Sequence, residues 1–124
     1  LQAHGFLANI FKVFEKFDIS VDAITTSEIS VAMTVNQEVL ANQNLIEELS
    51  DLGQVKAEDN YCLISVIGNN INQTSGLANQ IFNSLGETNV RMICQGASIH
   101  NFCFLINQNN GHEVINNLHH KFIQ

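Results

Sequence analysis

Apolar residues change their period near Asp18. Before it, Leu7, Ile10, Phe11, Phe14 and Phe17 recur three and four positions apart, with Lys12, Glu15 and Lys16 on the other face. That spacing predicts an amphipathic helix entered at Gly5. After it, Ile19, Val21 and Ala23 alternate with polar residues, as do Ile29, Val31, Met33 and Val35, which is the period of strands with one buried face. The intervening residues, Ile24 to Glu28, read ITTSE and gather hydroxyls and a carboxylate at a turn. Asn36 to Asn44 is a polar connection. Leu45, Ile46, Leu49 and Leu52 predict a second short helix, ended by Gly53 where a left-handed cap favours glycine. Gln54 to Asp59 predicts a short, polar edge strand.

At Tyr61 the pattern starts again. YCLISVIG predicts a buried strand, GNNINQTSG a loop, and Gly76 to Leu85 a helix with Leu77, Ala78, Ile81 and Leu85 on one side. Strands are predicted over Asn89 to Ser98 and Asn101 to Asn107, and His112 to Ile123 carries Val114, Ile115, Leu118 and Phe122 at helical spacing. A constant offset of 71 pairs Gly5 with Gly76, Ile10 with Ile81, Phe11 with Phe82, Ser27 with Ser98 and Asn36 with Asn107, as two copies of one unit would. The two units are residues 1–59 and 60–124. Each approximates strand, helix, strand, strand, helix, strand, an α+β arrangement in which two helices cover one face of a four-stranded antiparallel sheet. The first unit lacks its opening strand and the second its closing strand, so the chain reads as a piece of a larger polypeptide whose missing strands, or partners in trans, would cover the open edges.

Composition narrows the chemistry. A formal net charge of −7, with no run of lysines or arginines, removes the electrostatic footprint that nucleic acid or an anionic lipid surface requires. Phe102 and Phe104 alternate with Asn101 and Cys103 as core residues do, and so are not the exposed stacking aromatics of an RNA-binding sheet. No apolar run has the roughly 18–20 residues of a membrane span, and the start lacks a leader pattern, so the chain reads as soluble and cytoplasmic. Cys62, Cys94 and Cys103 lie in apolar strand-like runs with no close pair in sequence, which reads as reduced core residues. The five histidines show no ligand spacing. There is no phosphate-binding glycine loop and no nucleophile paired with a base, which argues against a catalytic domain. What remains is a place for a small zwitterion: Gly5 at the mouth of a helix, Asp22 at the end of a strand, and the hydroxyls and Glu28 of the corner.

The runs GFLANIFKVFEKFDISVDAITTSEISVAMTV and VRMICQGASIHNFCFLI resemble the tandem ACT domains at the regulatory end of aspartokinases, above all the lysine-sensitive class. SVDAITTSE at Ser20 to Glu28 and RMICQGAS at Arg91 to Ser98 carry the resemblance most specifically. It implies two ferredoxin-like (βαββαβ) ACT units that sense L-lysine for feedback inhibition. It also implies an upstream kinase domain that phosphorylates aspartate with ATP and Mg2+, and no cofactor in this portion. It further implies pairing of the first unit with its copy in a second subunit, with lysine at that interface. The positions that match the effector site are Gly5, Phe6 and Leu7 at the helix start, Ser20, Val21 and Asp22 on the strand, and Thr26, Ser27, Glu28 and Ile29 at the corner. Backbone N–H groups at a helix start suit the ligand's carboxylate, and Asp22 and Glu28 suit its ammonium groups. Ahead of the helix the family favours a histidine and a serine where this chain has Gln2 and Ala3, and Ala3 has no side-chain hydrogen bond to offer. At the offset of 71, Asp22 faces Ile93 and Glu28 faces Ile99, so the second unit reads as structural. Two other readings stay open: a dimerisation scaffold with a vestigial pocket, and a threonine-binding region of a bifunctional aspartokinase.

Overall fold

A computed structural model describes residues 5–27, 30–71, 74–96 and 100–122 of the 124-residue chain. The chain divides into two compact units, Leu1–Asp59 and Asn60–Gln124.

In the first unit, helix α1 (Phe6–Lys16) leads to strands β1 (Ala23–Thr26) and β2 (Val31–Thr34), a 3-10 turn (Gln37–Ala41) and helix α2 (Gln43–Ser50). The end of α1 is set by Asp18. It takes a left-handed conformation (φ 55°), its N–H bonds Glu15 O at 3.0 Å, and the Ile19 N–H bonds Phe14 O at 3.0 Å. These are the two backbone bonds of a Schellman cap, with an aspartate where glycine is usual. β1 and β2 pair antiparallel from Ala23 opposite Thr34 to Thr26 opposite Val31. Asn42 caps α2, its side chain accepting from the Leu45 N–H at 3.1 Å. Ile10, Phe14 and Leu45 form the buried core, with Phe6, Ile19, Val21, Val31 and Met33 among the half-buried residues against it.

The second unit contains β3 (Tyr61–Ile67), α3 (Leu77–Ser84), β4 (Val90–Gln95), β5 (Asn101–Asn107), a 3-10 turn (Gln108–Asn110) and α4 (Gly111–Phe122). Its sheet has the order β3-β5-β4, antiparallel throughout, with a bulge between Val90 and Met92. Phe102, Phe104 and Ile106 point to one face of β5 and are at most 1% exposed; Ile81, Leu85, Val114 and Leu118 from the two helices close over them. Phe82 joins Phe102 edge to face at 5.6 Å between ring centroids. On the opposite face Arg91 lies over the Tyr61 ring at 5.6 Å.

The units share backbone details that only a repeat explains. Gly5 and Gly76 both precede a helix in the left-handed conformation, at φ 79° and 75°. Asn36 and Asn107 both enter their 3-10 turns in extended conformation, at φ −60° and −62°. The turn is five residues long in the first unit and three in the second.

The mixed α and β, ferredoxin-like plan read from the sequence is present, with three differences. The first strand is shifted: β1 covers Ala23–Thr26 and so takes in Ile24 to Thr26 of the expected turn, because the cap of α1 commits the Ile19 N–H to Phe14 O and Ile19 and Val21 pack on the core before the ladder begins. Gln54 to Asp59 forms no strand, and among the described residues the first sheet has two strands. Val55 is the only β-branched residue in that run, too little side chain to order a strand without a ladder partner. Gly53 is not left-handed, because α2 ends at Ser50 with Asp51 still right-handed; the Gly53 N–H bonds Leu49 O, and a Cβ at this position would sit 3.9 Å from the Phe6 ring.

Phe104→Ala is expected to cost about 3–5 kcal/mol, the usual loss for a buried aromatic, read as a lower urea midpoint for the second unit. Asp18→Gly is expected to gain about 1 kcal/mol by relieving left-handed strain at the helix end.

Candidate effector-binding site

Gly5 positions the first of the candidate residues. With no Cβ it adopts the left-handed turn that starts α1, offers no side-chain cap, and has no heavy atom within 4 Å of the Cβ position. The first intrahelical bond runs from the Asn9 N–H to Gly5 O at 2.8 Å. The N–H groups of Phe6, Leu7 and Ala8 therefore have no acceptor within the helix and converge on one spot, where the helix dipole favours negative charge. Phe6 is half-buried against the core and fixes the helix, while Leu7 is 39% exposed beside the N–H groups.

Ser20, Val21 and Asp22 lead from the α1 cap into β1. Val21 packs on the core and so turns Ser20 and Asp22 outward, where both are exposed. Asp22 is held by its backbone, whose N–H donates to Thr34 O at 2.9 Å, and its carboxylate makes no ion pair among the described residues. At the far end of β1, Thr26 and Ser27 are exposed. The hairpin is closed by Ser27 and Ser30: the Ser27 N–H donates to Ser30 O at 2.8 Å, the Ser30 N–H to Ser27 Oγ at 3.1 Å, and the two hydroxyls lie 2.8 Å apart. Glu28 and Ile29 lie outside the described residues. Ser30 was not among the residues picked from the sequence, although a serine on each side of a turn is a signal for this closure.

The candidates fall into two sets. Helix α1 runs away from Gly5, and the chain returns along β1, so the Thr26–Ser27 corner comes back toward the helix start. Asp22 sits at the other end of the strand, about 17 Å from Ser27 at the usual rise per residue. A free amino acid cannot touch both ends in one unit. In the second unit the residue at the place of Asp22 is Ile93, 47% exposed on β4.

Among the described residues no group of three or more His, Cys, Asp or Glu side chains could hold a metal ion, and no helix is long and apolar enough to cross a membrane. A polar depression of about 570 Å³ lies in the second unit, lined by Asn83, Glu87, Asn89, Asn110, Glu113 and Asn117 among others. It contains none of the candidate residues.

Comparison with known proteins gives the site its context. Residues 64–122 match the ACT domain family. The lysine-sensitive aspartokinase 3 of Escherichia coli is 40% identical over 126 residues, covering 96% of this chain and 28% of that protein. The crystal structure of E. coli aspartokinase III with aspartate and ADP, in its R-state, matches all of this chain and 29% of its own, with a TM-score of 0.91 and 39% identity. The structure of the same enzyme with lysine and aspartate, in its T-state, matches over the same shares with a TM-score of 0.86 and 40% identity. This chain thus spans under a third of the length of these relatives. By sequence over nearly its whole length, and by fold, the chain is similar to the ACT-containing regulatory regions of the aspartokinases.

Proposed function

We propose that the chain binds L-lysine as a feedback effector, across a seam between the first units of two subunits, for an aspartokinase domain carried upstream in the same polypeptide. That domain would phosphorylate aspartate with ATP and Mg2+, and the whole would work in the cytoplasm. The likeness to an aspartokinase that has been seen with lysine bound carries the reading.

The separation of the two sets of candidates supports a shared site. Among the described residues β1 has one ladder partner, β2. If β1 meets its own copy edge to edge about a two-fold axis, the strands run antiparallel, and Asp22 of one unit comes beside Thr26, Ser27 and the helix start of the other. In this arrangement the N–H groups of Phe6 and Leu7 take the ligand carboxylate. Ser20, Ser27 and Thr26 supply hydroxyls, Ile29 an apolar wall, and Val21, anchored in the core, holds Ser20 and Asp22 toward the ligand. Asp22 and Glu28 share the α-ammonium and side-chain ammonium, Glu28 reading the latter. The second unit, with Ile93 where Asp22 would stand, has no such anion and serves the fold.

Inhibition then follows from linkage. Lysine that binds only the paired arrangement favours it by its differential affinity, and the kinase domain responds to whichever arrangement prevails.

Titration calorimetry of the purified protein under dimeric conditions is expected to show saturable binding of L-lysine and none of L-threonine. Glu28→Ala and Asp22→Asn are each expected to weaken lysine binding by roughly 10- to 100-fold, the usual worth of a charge-assisted hydrogen bond. No lysine heat from a folded dimer would refute the sensor reading. Full binding by a monomer would refute the shared site.

A further inference from the structure

The three cysteines are thiols, one on each strand of the second sheet. Their surroundings differ. Cys62 is on the helix-covered face, where a Cβ added to Gly111 would lie 3.3 Å from its Sγ, and burial pushes its pKa up. Cys94 and Cys103 stand directly opposite each other across β4 and β5, both half-buried, on the face away from the helices. Ser65 continues the same row on β3, opposite Cys103.

We propose that Cys94 and Cys103 form a thiol–disulfide modification site, closing into a reversible cross-strand disulfide when a low-molecular-weight disulfide such as oxidised glutathione is the oxidant. The geometry is already close. Directly opposed residues of an antiparallel pair have Cα atoms about 4.5–5.5 Å apart and Cβ atoms at a similar spacing. A disulfide spans about 4.4–6.8 Å between Cα atoms and about 3.5–4.5 Å between Cβ atoms. The bond therefore needs at most a small approach of the two strands. β4 can give it, because it is an outer strand of the sheet, is broken by a bulge between Val90 and Met92, and ends one residue past Cys94, before the left-handed Gly96 (φ 107°).

Cys103 is placed to react first. Its Sγ lies 3.3 Å from Ser65 Oγ and donates to Asn101 Oδ1 at 3.1 Å. Once Cys103 loses its proton to water, the Ser65 hydroxyl can turn to donate to the thiolate. The thiolate attacks one sulfur of glutathione disulfide; that S–S bond breaks, a mixed disulfide forms on Cys103, and one glutathione leaves as thiolate. Cys94, deprotonated in turn, attacks the Cys103 sulfur and expels the second glutathione. The protein pair gives up two protons and two electrons, and one glutathione disulfide becomes two glutathione thiols. Excess reduced glutathione drives the same steps backwards. The product ties the outer strand to the middle one.

Peptide mapping after treatment with oxidised glutathione tests this. Trypsin releases Met92 to Lys121 with both cysteines, and chymotrypsin then cuts after Phe102 between them. In the folded protein the tryptic peptide is expected to be lighter by two hydrogen atoms, and the chymotryptic fragments that carry Cys94 and Cys103 to stay joined until reduced. Cys62→Ser is expected to close equally fast, and Cys94→Ser to stop with glutathione on Cys103. Closure in the folded protein is expected to exceed that in the urea-unfolded chain by roughly tenfold or more, because the sheet holds the sulfurs together. Equal rates in urea would overturn the proposal, since register would then play no part. So would stable glutathione on Cys103 of the unaltered protein, or a bond to Cys62.

Discussion

Each unit is anchored by the apolar face of one strand, β2 in the first and β5 in the second, and the size of the side chains there decides how well the unit closes. In the second unit Phe102, Phe104 and Ile106 fill the space under both helices, and Phe82 is drawn down onto them. At the offset of 71 the first unit has Val31, Met33 and Val35 in those places, which are only half-buried. With less to pack on, Phe11, the counterpart of Phe82, is 43% exposed. The same backbone plan thus gives, among the described residues, one unit a nine-residue buried core and the other a core of three. An aromatic exchanged for a valine on one strand is felt on the helix above it, because an interior packs at near-crystalline density.

The sequence reading recovered most elements because helix and strand periods are strong signals here. Ile10 and Phe14, or Ile81 and Leu85, can share one buried stripe only on a helix, and Phe102, Phe104 and Ile106 share a face only on a strand. The misses came from effects that period does not encode. The alternation of Ile19, Val21 and Ala23 predicts a strand from Ile19, yet Asp18 adopts the left-handed turn and commits the Ile19 N–H to the helix, so β1 begins only at Ala23. Gln54 to Asp59 had the length of a strand without a partner to order it. Cys94 and Cys103, nine positions apart, could not be recognised as neighbours until the β4–β5 register was known.

The candidate site was legible as a set of residue types and not as a place. Glycine before a helix, in both units, marks a left-handed turn, and the structure has it twice. A carboxylate at each end of one strand, however, says nothing about whether both can meet one ligand. That follows only from the rise of β1 and the return of the chain toward the helix start, which separate Asp22 from Ser27 by more than the length of an amino acid. The difference between a site within one unit and a site between two is therefore a matter of strand length.

The 3-10 turns carry a consequence for any exchange of parts between the units. The first turn is longer by two residues, and two residues are about 200° of rotation around an α-helix. Up to Asn36 and Asn107 a transplant in register at 71 would keep every buried position. Beyond them it would turn the final helix nearly back to front, setting Asn116 and His120 where Leu45 and Leu49 meet the core, whereas a register of 69 supplies Val114 and Leu118. A hybrid unit would have to carry the helix together with its own turn, as one inherited piece.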